Sequence, residues 1–263
     1  PVFPKPSINQ IVQNRLTEKN FINNIGIKTT NYALINNQSD IANNKDLLPG
    51  FLKTCTLGYD GKGQFVLNKA EKTSELKIDF DKEYILEKKV NLKKEISVVI
   101  TRFLNNDFVI YEPIENLHIN QILSRSTIPA DIDKVISEKA KQHARLIAEK
   151  LDYIGTMCVE YFIDKENNLL VNEIAPRVHN SGHLTINTYN VSQFENHVRA
   201  VCNLKKVELK KICNAEMINI IGGEIKTYRE KSYPENEFFF DYFKSEIKEK
   251  RKMGHLTIVK PNI

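Results

Sequence analysis

The sequence predicts an α+β protein built mainly from antiparallel strands. A glycine-rich turn at 58–63 separates predicted strands at 50–54 and 64–67, which is not the strand, loop, helix order of a Walker or Rossmann site. Short predicted strands between 95 and 126 indicate an antiparallel meander, and the segment 155–174 has the pattern of a hairpin. A chain of 263 residues buries roughly 70–75% of its unfolded surface, so it can form a core without disulfides or structural metal.

The composition disfavours several classes of protein. No apolar run approaches the roughly 18–20 residues of a membrane span, so we expect no membrane partner. The net charge of +5 comes from 38 basic and 33 acidic residues spread along the chain, which suits anionic small molecules, and we expect no nucleic-acid partner. Cys55, Cys158, Cys202 and Cys213 form no CxxC pair, so we expect reduced thiols and a cytoplasmic location.

The N-terminal third begins with a helix and continues as strands. Ser7 and Gln10 form a capping-box pattern that predicts a helix start, and Gly26 would end that helix. A strand at 31–35 and a helix near 40–47 then lead into the strand at 50–54.

Two further helices and several strands follow. The longest helix is predicted over about 131–151, and a second capping box, Ser192 with Glu195, starts a helix that ends near 204. The apolar stripe of the long helix consists of Ile132, Val135, Ile136, Ile147 and Leu151. The remaining predicted strands are 84–90, 95–103, 107–112, 122–126, 155–164, 169–174, 217–221 and 255–259.

Two carboxylates face each other in the predicted hairpin. A turn centred between Glu166 and Asn167 places Glu160 opposite Glu173. Bare carboxylates about 5 Å apart would repel by about 3 kcal/mol at an effective dielectric of about 20. One or two carboxylates, completed by water and substrate phosphates, are what Mg²⁺ prefers. The pair therefore predicts a magnesium site, unless the register differs by one residue or a lysine pairs the carboxylates.

Three other segments are candidates for chemistry. The glycine-rich turn offers backbone N–H groups to a phosphate, with Lys53 and Lys62 supplying charge, but turns of this kind also occur without a ligand. The segment 172–183 packs a carboxylate, an arginine, two histidines, two asparagines and a serine into a dozen residues after a strand. The basic segment 250–255 is either part of a site or a solvated turn.

Together these segments resemble the ATP-grasp superfamily, and within it the N5-carboxyaminoimidazole ribonucleotide synthases. The resemblance covers nearly the whole chain, and its most specific part is 172–183 followed by 192–195. It also rests on Gln13-Asn-Arg15 with Glu18-Lys19, Lys53, Gly58-Tyr-Asp-Gly-Lys-Gly-Gln64, Glu87, Glu95, Asn116-Leu-His118 and Arg251-Lys-Met-Gly-His255.

The resemblance implies a fold and an activity. The fold would be two α+β subdomains that clasp ATP, at 15–90 and 91–204, after a linker at 1–14 and before a small β-rich domain at 205–263. The activity would be ATP- and Mg²⁺-dependent carboxylation of 5-aminoimidazole ribonucleotide by bicarbonate, through carboxyphosphate, in purine biosynthesis. The family normally starts with a Rossmann-like domain that this chain lacks, so we expect either a fragment or a naturally short protein. Family members tend to be homodimers.

The resemblance also assigns roles to residues. The residues implied for ATP are Arg15, Lys53, Gly58, Tyr59, Asp60, Gly61, Lys62, Gly63, Gln64, Glu87, Lys88, Lys89, Val90, Glu95, His118, Asn172 and Glu173. Those implied for catalysis are Tyr59, Lys62, Arg177, His179 and Lys252, those for the second substrate are Arg177, His179, Asn180, Ser181, Arg251 and Lys252, and those for metal are Glu160 and Glu173.

Two alternatives stay open from sequence. One is another ATP-grasp carboxylate–amine ligase, such as a formate-using glycinamide ribonucleotide transformylase or a biotin carboxylase-like protein. The other is a truncated ATP-binding module without catalysis.

Overall fold

A computed structural model describes residues 2–56, 63–69 and 78–260. Within these residues the chain forms two antiparallel sheets with helices packed against them. The smaller sheet has the strand order β1 (Tyr32–Ile35), β4 (Tyr84–Lys88), β2 (Gly50–Thr54) and β3 (Gln64–Leu67). Helix α3 (Gln38–Asn43) covers it and contributes Ile41 to its core.

The larger sheet contains nine strands of the described residues. Its order is β10-β9-β5-β7-β8-β11-β13-β12, with β6 paired to β5. The strands are β5 (Leu92–Arg102), β6 (Phe108–Ile110), β7 (Ile114–Ile119), β8 (Ile122–Ile128), β9 (Gly155–Asp164), β10 (Leu169–Ala175), β11 (Asn214–Ile221), β12 (Glu237–Asp241) and β13 (Lys252–Lys260). Because β11 pairs with β8, the C-terminal strands extend the sheet of the preceding segment. The two sheets face each other across a cleft that places the site.

Helix α4 (Lys134–Lys150) packs on the large sheet through small residues. Ala140, Ala144, Ile147 and Ala148 are fully buried, as the period of 3.6 residues requires for one face. The prediction that Val135 belongs to this face is wrong, because Val135 lies in the first helical turn on the opposite side and is 79% exposed.

The N-terminal helix prediction is also wrong in two respects. Ser7 lies inside α1 (Pro6–Val12), where Pro6 opens the helix and Lys5 is the N-cap without a side-chain cap bond. The helix then breaks, and Asn14 caps a second helix, α2 (Arg15–Asn24), by accepting hydrogen bonds from two backbone N–H groups. Proline suits the first helical position because it has no N–H to leave unpaired.

Among the described residues, two further α-helices follow the hairpin and one lies between β11 and β12. They are α5 (Thr185–Thr188), α6 (Gln193–Val201) and α7 (Ile225–Arg229). The Ser192 cap is confirmed, because its side chain accepts a hydrogen bond from the Glu195 N–H. The helices α5 and α7 and the strands β7 and β12 were not predicted from the sequence.

The prediction that Glu160 faces Glu173 in the hairpin of β9 and β10 is confirmed, but the register near the turn differs from the predicted one. Near the turn the paired residue numbers sum to 332, as in Leu169 with Ile163, and this register would place Asn172 opposite Glu160. A β-bulge between Val171 and Glu173 shifts the ladder by one residue, so Glu173 lies opposite Glu160.

Residues 2–56, 63–69 and 78–260 contain no helix that could span a membrane. All four cysteines are free thiols, and Cys55 and Cys158 are buried.

Candidate active site

A cavity of about 690 Å³ lies in the cleft between the two sheets. The small sheet and α2 supply one wall, and the large sheet supplies the other. Its ionisable lining residues are Arg15, Lys53, Glu87, Lys88, Lys89, Glu95, His118, Glu160, Glu173, Arg177, His179 and Lys252. Cationic and anionic groups share one space, which suits a polyanionic ligand together with a cation.

One wall is built on a buried ion network. Lys53 Nζ lies 2.9 Å from one Glu87 oxygen, and Lys19 Nζ lies 3.6 Å from the other. Lys19 is 1% exposed and Glu87 is 3% exposed. Burial alone would raise the pKa of Glu87, but the two lysines outweigh it and the pKa is lowered. Glu87 therefore holds Lys53 at the cavity wall and balances Lys19 beneath it.

Glu160 and Glu173 lie on the opposite wall. The Glu160 side chain is 13% exposed and its carboxyl faces Glu173, and desolvation followed by the charge of Glu173 raises its pKa to about 8. Arg15 Nη1 lies 3.6 Å from Glu173 Oε2. A bound cation would relieve both the burial penalty and the repulsion at Glu160.

His179 contacts Glu160 from the loop after β10. Its Nε2 lies 3.1 Å from Glu160 Oε1, and its Nδ1 lies 2.8 Å from Ser181 Oγ. Burial, followed by the charge of Arg177, lowers the pKa of His179 to about 3. The imidazole is therefore neutral at pH 7, and because Nδ1 accepts from the Ser181 N–H, the proton lies on Nε2.

A ladder of buried polar side chains, joined by hydrogen bonds, supports this loop. Ser181 Oγ lies 2.8 Å from Ser97 Oγ, Asn116 donates to Ser97 Oγ at 3.0 Å, and Ser126 donates to Asn116 at 2.9 Å. Each of these groups is paired, as buried polar groups require. The ladder crosses β5, β7 and β8 and fixes the base of the loop that carries His179.

Glu95 and His118 form a pair on neighbouring strands. His118 Nδ1 lies 2.6 Å from Glu95 Oε2, in an ion-pair contact that lacks the alignment of a hydrogen bond. Burial would lower the pKa of His118, but the contact with Glu95 outweighs burial and raises it.

The structure brings most of the predicted site residues together. Those that line the cavity are Arg15, Lys53, Gln64, Glu87, Lys88, Lys89, Val90, Glu95, His118, Glu160, Asn172, Glu173, Arg177, His179, Asn180 and Lys252. Gly58, Tyr59, Asp60, Gly61 and Lys62 lie outside the described residues. Gly63 stands just before β3 with a φ of 69°, a conformation that favours glycine.

Three predicted residues of the described part of the chain do not line the cavity: Gly63, Ser181 and Arg251. Ser181 is fully buried and supports His179 through its hydroxyl. Arg251 turns away and donates to the Glu246 carbonyl at 3.2 Å.

Six further lining residues were not predicted from the sequence, and two of them are phenylalanines. Phe51 lies two residues before Lys53 on β2, and Phe162 lies two residues after Glu160 on β9. Residues i and i+2 share one face of a strand, so alternation from the predicted charged residues could have found both. Thr30, Leu92, Gln121 and Leu123 carried no such signal.

Comparison with known proteins decides the family. The model of the ATP-grasp domain matches residues 20–194, and that of the phosphoribosylaminoimidazole carboxylase C-terminal domain matches residues 215–263. The N5-carboxyaminoimidazole ribonucleotide synthase of Bacillus subtilis is 39% identical over 254 residues, which cover 95% of this chain and 67% of the relative. The chain belongs to the N5-carboxyaminoimidazole ribonucleotide synthase family. The predicted ATP-grasp fold is thereby confirmed.

Solved structures of this family share the fold. A crystal structure of an N5-carboxyaminoimidazole ribonucleotide synthetase with ADP has a TM-score of 0.90 and 39% identity, covering 97% of this chain and 68% of that one. The Staphylococcus aureus enzyme with ADP has a TM-score of 0.87 and 37% identity over 96% and 69%. The Aspergillus clavatus enzyme with ADP and 5-aminoimidazole ribonucleotide has a TM-score of 0.88 and 28% identity over 98% and 71%.

The Glu95–His118 pair predicts a pH-dependent contribution to the stability of this family member. Because the folded pKa of His118 lies above its ordinary value of 6.5, the pair stabilises the fold fully below that value. The stabilisation is lost as pH rises through the raised pKa. A double-mutant cycle with His118→Gln and Glu95→Gln should give a larger coupling energy at about pH 5.5 than at about pH 8.5. Equal coupling at both pH values would contradict the assignment.

Proposed function

We propose that the chain carries the ATP-dependent ligase activity of its family: carboxylation of 5-aminoimidazole ribonucleotide by bicarbonate. The observation that supports this most strongly is the facing pair Glu160 and Glu173, which shares one cavity with Arg15, Lys53, Arg177 and Lys252. Two carboxylates for a cation, with four cationic side chains around them, suit a reaction between two anions.

The chemistry proceeds in two transfers. A bicarbonate oxygen attacks the γ-phosphorus of ATP, the bond to the ADP oxygen breaks, and carboxyphosphate forms. The exocyclic amine of the ribonucleotide then attacks the carboxyl carbon, the carbon–oxygen bond to phosphate breaks, and the amine loses a proton. Arg15 and Lys53 would bind ATP phosphates, and Arg177 and Lys252 would bind bicarbonate and the ribonucleotide phosphate. Their charges would offset the repulsion between the anions, and a site within the cleft would limit the water that hydrolyses carboxyphosphate.

The residues of the hairpin fit Mg²⁺. No group of three or more His, Cys, Asp or Glu among residues 2–56, 63–69 and 78–260 is arranged to hold a metal by itself. A site with two carboxylates, completed by water and ATP phosphates, is what Mg²⁺ uses in nucleotide enzymes. Glu160 and Glu173 would hold the ion, and it would neutralise the charge of the transferred phosphoryl group.

Residues that line the cavity are also suited to contact the adenine and ribose of ATP. Glu87 to Val90 would form the edge against which adenine lies, and Glu95 would hold the ribose hydroxyls with His118 beside them. Phe51 and Phe162 supply apolar surface on facing walls of the same space. Asn180 reaches the cavity rim and donates to Asn219 Oδ1 at 3.0 Å, so its amide is held for contact with the second substrate.

Steady-state kinetics test the proposal. ATP turnover by the purified chain should require bicarbonate and Mg²⁺ and should rise when 5-aminoimidazole ribonucleotide is added. Equal stimulation by glycinamide ribonucleotide with formate, or by biotin, would favour another ATP-grasp ligase. Calorimetry that shows binding of ATP with Mg²⁺ but none of the ribonucleotide would favour a non-catalytic module.

Two further properties come from the family alone. We propose a homodimer in the cytoplasm, and sedimentation of the purified chain with fluorescence imaging of a tagged chain tests both.

A further inference from the structure

The side chain of Gln193 holds the backbone of His179 at two points. Its Oε1 accepts a hydrogen bond from the His179 N–H at 2.9 Å, and its Nε2 donates to the His179 carbonyl at 2.6 Å. Gln193 is fully buried, so both bonds are shielded from water. One planar amide thereby pairs with both backbone polar groups of a single cavity residue, which fixes the position of that residue.

The amide of Gln193 is itself fixed. Nε2 lies 3.0 Å from His183 Nδ1, so both of its hydrogens are engaged. The Gln193 N–H donates to Thr185 Oγ1 at 3.0 Å, and its carbonyl accepts from Thr156 Oγ1 at 3.2 Å. The backbone of Gln193 is therefore tied to β9 and to α5, while its side chain is tied to the loop.

Gly182 in the loop leaves space for the Gln193 amide. A Cβ atom at Gly182 would lie 2.6 Å from Gln193 Oε1, 2.8 Å from its Cδ and 2.9 Å from Val99 Cγ2. Such distances are well inside van der Waals contact, so any larger residue would displace the amide. Gly182 is needed here for close approach.

Helix capping does not account for the amide. The cap of α6 is Ser192, whose hydroxyl accepts from the Glu195 N–H at 3.2 Å. The Gln193 amide points away from that helix and into the loop that carries Arg177 and His179.

We infer that Gln193 is a positioning residue that sets the His179 ring against Glu160, an inference that rests on the proposed function for its catalytic consequence. His179 Nε2 lies 3.1 Å from Glu160 Oε1. A shift of the His179 backbone moves this ring, and with it the orientation of one of the two facing carboxylates. Groups that orient catalytic or ligating side chains in this way are usually worth about 10- to 100-fold in activity.

Asn196 provides a matched control on the same helix. It is also fully buried, and its Nδ2 donates to the Tyr111 hydroxyl at 2.7 Å, in the core rather than at the cavity. Gln193→Ala should lower kcat for bicarbonate- and ribonucleotide-dependent ATP turnover by about 10- to 100-fold, with KM for ATP changed less than about threefold. Asn196→Ala should lower the melting temperature comparably and leave kcat within about threefold of the parent. Unchanged kcat in Gln193→Ala, or an equal fall in Asn196→Ala, would overturn the inference.

Gln193→Glu removes the hydrogen-bond donor of the amide without changing the size of the side chain. This variant keeps the shape of the side chain and an acceptor for the His179 N–H, but a carboxylate cannot donate to the His179 carbonyl. We expect kcat to fall as in Gln193→Ala. Retention of full activity would show that the donor half has no role in positioning.

A spectroscopic measurement tests the inference independently of activity. In the ¹⁵N-labelled full chain, with His179 signals assigned by their loss in His179→Gln, the ring should be the Nε2–H tautomer in the parent and in Asn196→Ala. Gln193→Ala should shift these signals or broaden them into a tautomer mixture. Unchanged His179 signals in Gln193→Ala would contradict the positioning role. If the parent shows no bicarbonate-dependent turnover, the proposed function fails while this measurement still decides the role of Gln193.

Discussion

Replacing Glu173 with glutamine should lower Mg²⁺-dependent ATP turnover by roughly 10²- to 10³-fold or more. The substitution keeps the shape of the side chain and removes one of the two carboxylates that face each other in the hairpin. The effect of this substitution on stability should be small. The charge of Glu173 is the second cause, after burial, of the raised pKa of Glu160, so its removal relieves repulsion. We expect the free energy of unfolding to change by less than about 1 kcal/mol, since the lost contact with Arg15 is partly exposed.

Glu166→Gln is the matched control for this prediction. Glu166 lies in the exposed turn of the same hairpin, away from the cavity. It should leave both turnover and stability at the parent values. Normal turnover in Glu173→Gln would remove the magnesium assignment, and an equal loss in Glu166→Gln would indicate a general effect on the hairpin.

Glu87→Gln should produce the largest loss of stability among the site variants, about 3–5 kcal/mol. The reason is burial: Lys19 is 1% exposed, and its ammonium would lose the carboxylate 3.6 Å away. Lys53 loses the same partner at 2.9 Å and is expected to move, so KM for ATP should rise. Chemical denaturation and ATP kinetics measure the two effects.

Two comparison variants make the Glu87 prediction specific. Adding Lys19→Met to Glu87→Gln should restore part of the lost stability, because the uncompensated buried charge is removed. Glu83→Gln changes an exposed carboxylate just before the same strand and should shift stability by no more than about 0.5 kcal/mol. If the double variant is less stable than Glu87→Gln alone, the buried charge is not the cause.

Sequence patterns located the strands where alternation is strong and glycines mark the ends. The predicted bounds of β2, β3 and β9 match the structure. β7 was missed because its residues Ile114–Ile119 mix apolar and polar side chains beside another strand with little turn signal. β12 was missed because it is an edge strand with exposed phenylalanines, whose pairing with β13 is set by tertiary contacts.

The pairing of Glu160 with Glu173 could be predicted from the sequence, but the bulge that produces it could not. Residue counting placed Glu160 opposite Glu173, yet the turn itself has another register and a bulge after Val171 restores the pair. Bulges depend on the packing of both strands, so local sequence does not predict them. Lys19 is a comparable case. Its place on the buried face of α2 beside Ile22 follows from helical spacing, but only the fold brings Glu87 to neutralise it.

Isotope transfer from bicarbonate tests the proposed reaction most directly. The purified chain is given ATP, Mg²⁺, 5-aminoimidazole ribonucleotide and freshly dissolved ¹⁸O-bicarbonate, and the released phosphate is examined by mass spectrometry or ³¹P NMR before the label exchanges with water. If bicarbonate attacks the γ-phosphorus, one bicarbonate oxygen stays with phosphorus, so we expect phosphate that carries one ¹⁸O. Phosphate without ¹⁸O from bicarbonate, formed at the same rate, would mean that water attacks ATP and would contradict the proposed ligase.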